Sequence, residues 1–231
     1  MAEDHLRLAG VTRLSVQGRR GAIDAFVFDP HRLAFPSWAM CVGDGKPALL
    51  VTLDRHFDLV PPVAEAPPKS AGLRALDEFA RWSLDVRNYD HVLSAMEAGI
   101  VSDAVVIARA TPKGAMPFSP ATDRRGVQHR LAVVPTVDRI AERWGSSDPT
   151  EAEKLIRGAD RVLLDLDLDC FTTLSDADPM TVVPWPLPLI RDFMMPNEPL
   201  WDEVLRKCIG FTFAREPFHS GGLVASNALF A

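Results

Sequence analysis

Cysteine is scarce in this chain. Cys41, Cys170 and Cys208 are the only three, an odd number with no C-x-x-C pair, which argues against a disulfide framework and a zinc ribbon. The expectation is a reducing, cytoplasmic setting. Long apolar runs are missing as well: nothing approaches the roughly 18 uninterrupted apolar residues of a membrane span. The opening segment MAEDHLRLAG carries acidic residues where an export signal needs an apolar stretch. Basic clusters are few and short. Arg19-Arg20 and Arg124-Arg125 read as solvated loop charge, and the net charge of −6 disfavours nucleic acid and anionic membrane while leaning toward cationic partners.

What is present suits one ordinary folded domain spanning residues 1–231. With 47% hydrophobic residues, a chain of this size buries roughly 70% of the surface its unfolded form exposes and needs no staples. Apolar runs at 22–29, 48–53, 104–108, 131–134, 161–168 and 209–213 read as strands. Helical spacing is read at 73–84, 91–98, 137–144, 150–157 and 201–208, with a short run at 31–40 that Pro36 interrupts. The segments 111–125 and 179–199 read as proline-bearing loops. Strands alternating with helices predict an α/β fold, a three-layer α-β-α arrangement around a mainly parallel sheet.

In such sheets ligands gather beyond the carboxyl ends of the strands. Three of these strands run into ionisable residues at that edge: Asp54, His56 and Asp58; Asp165, Asp167 and Asp169; and Glu216. Alternate residues at a strand end project to the same side, so a D-x-H-x-D triplet can converge on one or two cations. Three aspartates spaced two apart would repel one another if buried, and they call for a positive charge. A calcium loop counted from Asp165 would need Gly and Glu where Cys170 and Asp176 stand, so that reading is rejected. A haloacid-dehalogenase-type phosphatase, with Asp165 as nucleophile and Asp167 as acid, is a rival that leaves Asp54, His56 and Asp58 without a role.

Together, Asp54-Arg55-His56-Phe57-Asp58 and Asp167-Leu168-Asp169 resemble the paired motifs of the ureohydrolase superfamily, which includes arginase, agmatinase, formimidoylglutamase and, more distantly, deacetylase-like amidohydrolases. The resemblance runs from about His31 to Gly222. The family's further metal-binding His sits in a Gly-Gly-Asp-His turn that this sequence lacks, and His31 is the candidate replacement. An isolated upstream His and a Leu-Asp-Leu-Asp-Leu-Asp second motif are similar to a small branch that contains peptide arginases of ribosomal peptide natural-product pathways.

The resemblance implies an arginase-like fold and two Mn²⁺ per chain held by His31, Asp54, His56, Asp58, Asp167 and Asp169, with Asp165 supporting. Carboxylate-rich ligation with few imidazoles suits Mn²⁺ better than structural Zn²⁺. Glu216 would hold the substrate guanidinium, although Arg215-Glu216-Pro217 lacks the family's full Glu-x-Asn-Pro-like turn, and Asp58 and His219 would serve proton transfer. The implied reaction converts arginine to ornithine and urea, with an arginine-containing peptide as partner. The apolar, proline-stiffened segment from Leu59 to Pro68 is expected to form the peptide-facing rim, because it offers nothing to pair with the charges of free arginine. The rivals are another metal-dependent C–N hydrolase, agmatinase-like or an amide deacetylase, and a non-catalytic metal-binding protein.

Overall fold

Two strands that read as near-continuous apolar runs lie at the middle of the sheet, because only a strand covered on both faces can be apolar at every position. The computed structural model describes residues 8–19, 21–108, 121–178, 181–193 and 199–230. The strands are β1 (Val11–Gly18), β2 (Gly21–Phe28), β3 (Ala48–Asp54), β4 (Val101–Ala108), β5 (Leu131–Val134), β6 (Val162–Asp167) and β7 (Cys208–Ala214). They form one sheet in the order β1-β2-β7-β6-β3-β4-β5. All neighbours pair in parallel except the β1–β2 hairpin at one edge. Every residue of β3 and of β6 is buried.

Helices α1 (Ala34–Val42), α2 (Leu73–Trp82) and α3 (His91–Glu97) belong to one face, while α4 (Asp138–Ala141), α5 (Glu151–Gly158), α6 (Leu187–Phe193) and α7 (Pro199–Lys207) belong to the other. A last helix, α8 (Leu223–Phe230), follows β7. Strand periodicity splits the core in two. Leu50 and Leu163 join Phe26, Phe35, Trp38 and Leu76 on the first face, whereas Leu49, Val51, Leu53, Leu164 and Leu166 join Ile140, Ile156 and Val204 on the second. Each such large apolar side chain stabilises the fold by ~1.5–3 kcal/mol when fully buried. At Gly210 a Cβ would meet Cys41 Sγ at 2.2 Å, so glycine is what lets α1 approach β7.

The α/β class and the largely parallel sheet match the sequence reading, and several local expectations change. Pro36 does not interrupt the run after His31, because it falls in the first turn of α1, where a missing N–H costs no helical bond. Strand β1 escaped notice because most of its side chains are exposed on an edge that needs no apolar face. The segment 179–199 is not only loop: Val182–Pro184 pairs with Thr172–Leu174 and α6 follows. Arg124 and Arg125 are not merely solvated, since both guanidinium groups donate to backbone carbonyls of the proline segment, at Pro62, Val63 and Ala66. Most of the expected 111–125 loop lies outside the described residues. No helix among the described residues is long and apolar enough to cross a membrane.

Candidate metal centre

The chain passes from β2 to β3 across a gap that β7 and β6 later fill, so four neighbouring parallel strands end side by side. Their carboxyl ends deliver His31 just after β2, Glu216 after β7, Asp167 and Asp169 from β6, and Asp54 from β3. Crossover order therefore assembles residues that are far apart in sequence.

Local turns finish the convergence, and they differ from simple strand alternation. Asp54 Oδ1 accepts the backbone N–H of His56 at 2.7 Å, bending the chain as it leaves β3. Asp167 Oδ1 accepts the N–H of Asp169 at 3.0 Å and starts a 3-10 turn over Leu168–Phe171. The three aspartates thus do not share one strand face, because Asp169 is swung toward His56. Asp58, Asn88 and Glu216 are the non-glycine residues with left-handed φ among those described, at 46°, 61° and 35°. All three border this site, where backbone strain commonly marks function.

The side chains form two overlapping groups. His31 Nδ1 faces Asp167 Oδ2 at 3.2 Å and Asp54 Oδ2 and Asp58 Oδ2 at 3.5 Å each. His56 Nδ1 faces Asp169 Oδ2 at 3.2 Å and Asp54 Oδ1 at 3.7 Å. Asp54 belongs to both, with one oxygen toward each imidazole. His31, Asp54 and Asp167 have the spacing of a set that could hold a metal ion, as do Asp54, His56 and Asp169; His31, Asp58 and His91 form a third combination. His31 Nδ1 and Asp169 Oδ2 are fully buried yet make no hydrogen bond. Buried polar atoms without partners are costly, and a divalent cation among these carboxylates and imidazoles would satisfy both.

Electrostatics agree. Burial, reinforced by neighbouring carboxylates, pushes Asp54 and Asp167 well above the usual carboxylate range. Burial also raises Glu216. Burial opposes charge on His31, yet Asp165 and the other aspartates hold its pKa well above an ordinary histidine. Asp58, despite burial, is held low by the neighbouring imidazoles of His31 and His91. His56 is raised by the adjacent Asp169 carboxylate. Burial and the charge of His31 push His91 down to about 4, and its Nδ1 donates to the Asn88 carbonyl at 2.7 Å.

Asp165 is placed differently. It is fully buried, and it accepts His31 Nε2 at 2.8 Å, Thr52 Oγ1 at 2.7 Å and the Thr212 hydroxyl, while Trp38 Nε1 donates to Thr212 Oγ1 at 2.9 Å. These bonds, with the charge of His31, hold its pKa low against the effect of burial. The pair fixes Nε2 of His31 as the protonated nitrogen and turns Nδ1 toward the cluster. A phosphatase that needs Asp165 as an accessible nucleophile does not fit this geometry.

Glu216 Oε1 accepts the His31 N–H at 3.0 Å and the side-chain amide of Asn88, while Oε2 lies 3.8 Å from His219 Nε2. Glu216 and His219 line a cavity of about 1020 Å³ together with Arg32, Asn88, Val182 and Phe218. His219 is half exposed and its ring centroid lies 6.1 Å from that of His56. Of the expected rim, Glu65 to Pro68 line a separate groove with Phe79 and Trp82, while the Val60 N–H donates to the Tyr89 carbonyl, next to Asn88, at 3.0 Å.

Sequence reasoning missed Thr52, Thr212, Trp38, Asn88 and His91. A threonine interrupting the apolar run of β3 was a signal; Asn88, in an ordinary polar connection, and His91, at the start of α3, gave none. No family model matches the chain, and no curated protein is significantly similar to it.

Proposed function

We propose that this protein is a binuclear metal-dependent amidinohydrolase of the arginase-like kind, converting arginine side chains within a peptide to ornithine with release of urea. The observation that carries the reading is Asp54, buried and set between His31 and His56 with one carboxylate oxygen toward each. A shared carboxylate between two ligand groups is what a pair of cations requires. In this reading His31, Asp54, Asp58 and Asp167 would hold one Mn²⁺, and Asp54, His56 and Asp169 would hold the other. The ions, when bound, supply Lewis acidity and lower the pKa of water toward neutrality.

The protein's own groups would do the rest. Glu216, anchored through Oε1, offers Oε2 and its negative charge to a guanidinium. That favours a guanidino substrate over a simple amide, which has no cation for Glu216 to hold. Asp58 and His219 are the groups placed to return a proton to the departing amine. Support for a peptide comes from the cavity: about 1020 Å³ is several times what one arginine side chain fills, and the exposed Phe218, Val86 and Leu223 offer apolar surface along it.

The test is urea release from an N-acylated, C-amidated arginine peptide by protein loaded with Mn²⁺, beside metal content by elemental analysis. Two ions per chain and urea release are expected. Glu216→Gln should keep both ions and cut kcat/KM roughly 100-fold or more, since a desolvated guanidinium loses its counter-charge. Parent-rate turnover in that variant would rule out the guanidinium role.

A further inference from the structure

Beside Glu216 the cavity carries a second, opposite charge that the reading above does not use. Arg32 lines the same cavity. Its Nη1 donates to the Asn88 side-chain oxygen at 3.1 Å and reaches the Val86 carbonyl at 3.4 Å; among the described residues it has no carboxylate partner. The other charged side chains of that wall are spoken for. Asp29 is paired with Arg215 at 2.7 Å, and Arg87 with Asp85 at 3.2 Å.

Asn88 stands between these two charges. Its oxygen takes the Arg32 donor, so its nitrogen must face Glu216, and the short bond to Glu216 Oε1 follows. The left-handed backbone at Asn88, φ 61°, holds the amide in that place. A direct Arg32–Glu216 pair would cancel both charges. With the amide inserted, a carboxylate and a guanidinium face one cavity with a single side-chain amide between them, each already bonded on one side only to neutral groups.

A cavity with fixed poles of this kind matches a ligand carrying both charges. We propose that Arg32 is a specificity-determining residue that binds a carboxylate lying close to the substrate's guanidinium chain. This rests on the guanidinium assignment of Glu216. Two sources share that chemistry: the arginine's own carboxylate at a peptide C-terminus, and an acidic side chain next to the arginine. A guanidinium presents paired donors to either, and a carboxylate held there would also offset the repulsion between Arg32 and the incoming substrate cation.

Three peptides decide it: acetyl-Ala-Arg with a free carboxylate, acetyl-Ala-Arg-amide and acetyl-Asp-Arg-amide. The Mn²⁺-loaded protein is expected to favour at least one anionic peptide over the neutral amide by tenfold or more in kcat/KM, the favoured one naming the source. In Arg32→Gln that ratio should collapse to within about threefold, while Arg32→Lys should retain part of it. Equal rates on all three peptides with the parent protein, or a preference that survives Arg32→Gln, would overturn the proposal. If no peptide releases urea, the guanidinium hydrolase reading fails by itself, and the same peptides are compared by equilibrium binding. A tenfold tighter anionic peptide whose advantage is lost in Arg32→Gln then still supports Arg32, and equal affinities reject it.

Discussion

Two sets of buried carboxylates sit side by side in this protein, and they live under opposite conditions. Asp165 is fully buried and accepts hydrogen bonds from Thr52, Thr212 and His31. Its charge is thereby stabilised, and its pKa is low. Asp54 and Asp167, as deeply buried, face other carboxylates instead, and theirs are pushed well up. Burial alone therefore does not mark a functional acid. What separates support from site is whether the protein supplies the partners or leaves them to be supplied by something else.

Asp167→Asn tests that division hardest. A neutral amide is a weaker ligand than a carboxylate, so the variant should lose metal and with it nearly all activity, on the order of 1000-fold. Elemental analysis beside urea release checks both. Asp165→Asn should do less. Loss of the carboxylate behind a ligating imidazole typically costs about 10- to 100-fold in metal affinity or activity, which titration with Mn²⁺ would measure. Should Asp165→Asn strip the metal as completely as Asp167→Asn, the distinction between the two sets would collapse.

The smallest effect concerns pH in protein stripped of metal. Asp54 and Asp167 have raised pKa values when folded, so the folded chain keeps protons that the unfolded chain releases near pH 4. Their contribution is fully present below the unfolded value and is lost as pH rises through the folded one. His31, also raised, acts in the same direction. Asp58 and Asp165, held low, oppose this only in more acid solution. His91, pushed down to about 4, works the other way up to about pH 6.5; from about pH 7 to 9 the Tm of metal-free protein should therefore fall by a few degrees, and saturating Mn²⁺ should flatten the slope by neutralising the cluster. Parallel slopes with and without the ion would show that the cluster binds no cation.

Much of the frame was legible because apolar patterning is local. Runs such as Ala48–Asp54 and Val162–Asp167 can only be covered strands, and the acidic residues at their ends marked the edge where ligands gather. Edge strand β1 and helix α8 were not legible, since neither buries a continuous apolar face from which a period could be read.

The sequence by itself determined the α/β class, the strands of the site and the two acidic motifs, all consequences of residue type at short spacing. Only the tertiary structure decided who meets whom. That Asp165 faces Thr52 and Thr212 depends on the parallel register of β6 with β3 and β7. That Asn88 separates Arg32 from Glu216 depends on a left-handed residue in a loop, and how the proline segment is held depends on Arg124 and Arg125. Each is a long-range contact made by one directional donor or acceptor. Periodicity carries no record of such contacts, because it registers which face a residue occupies and not which partner waits there.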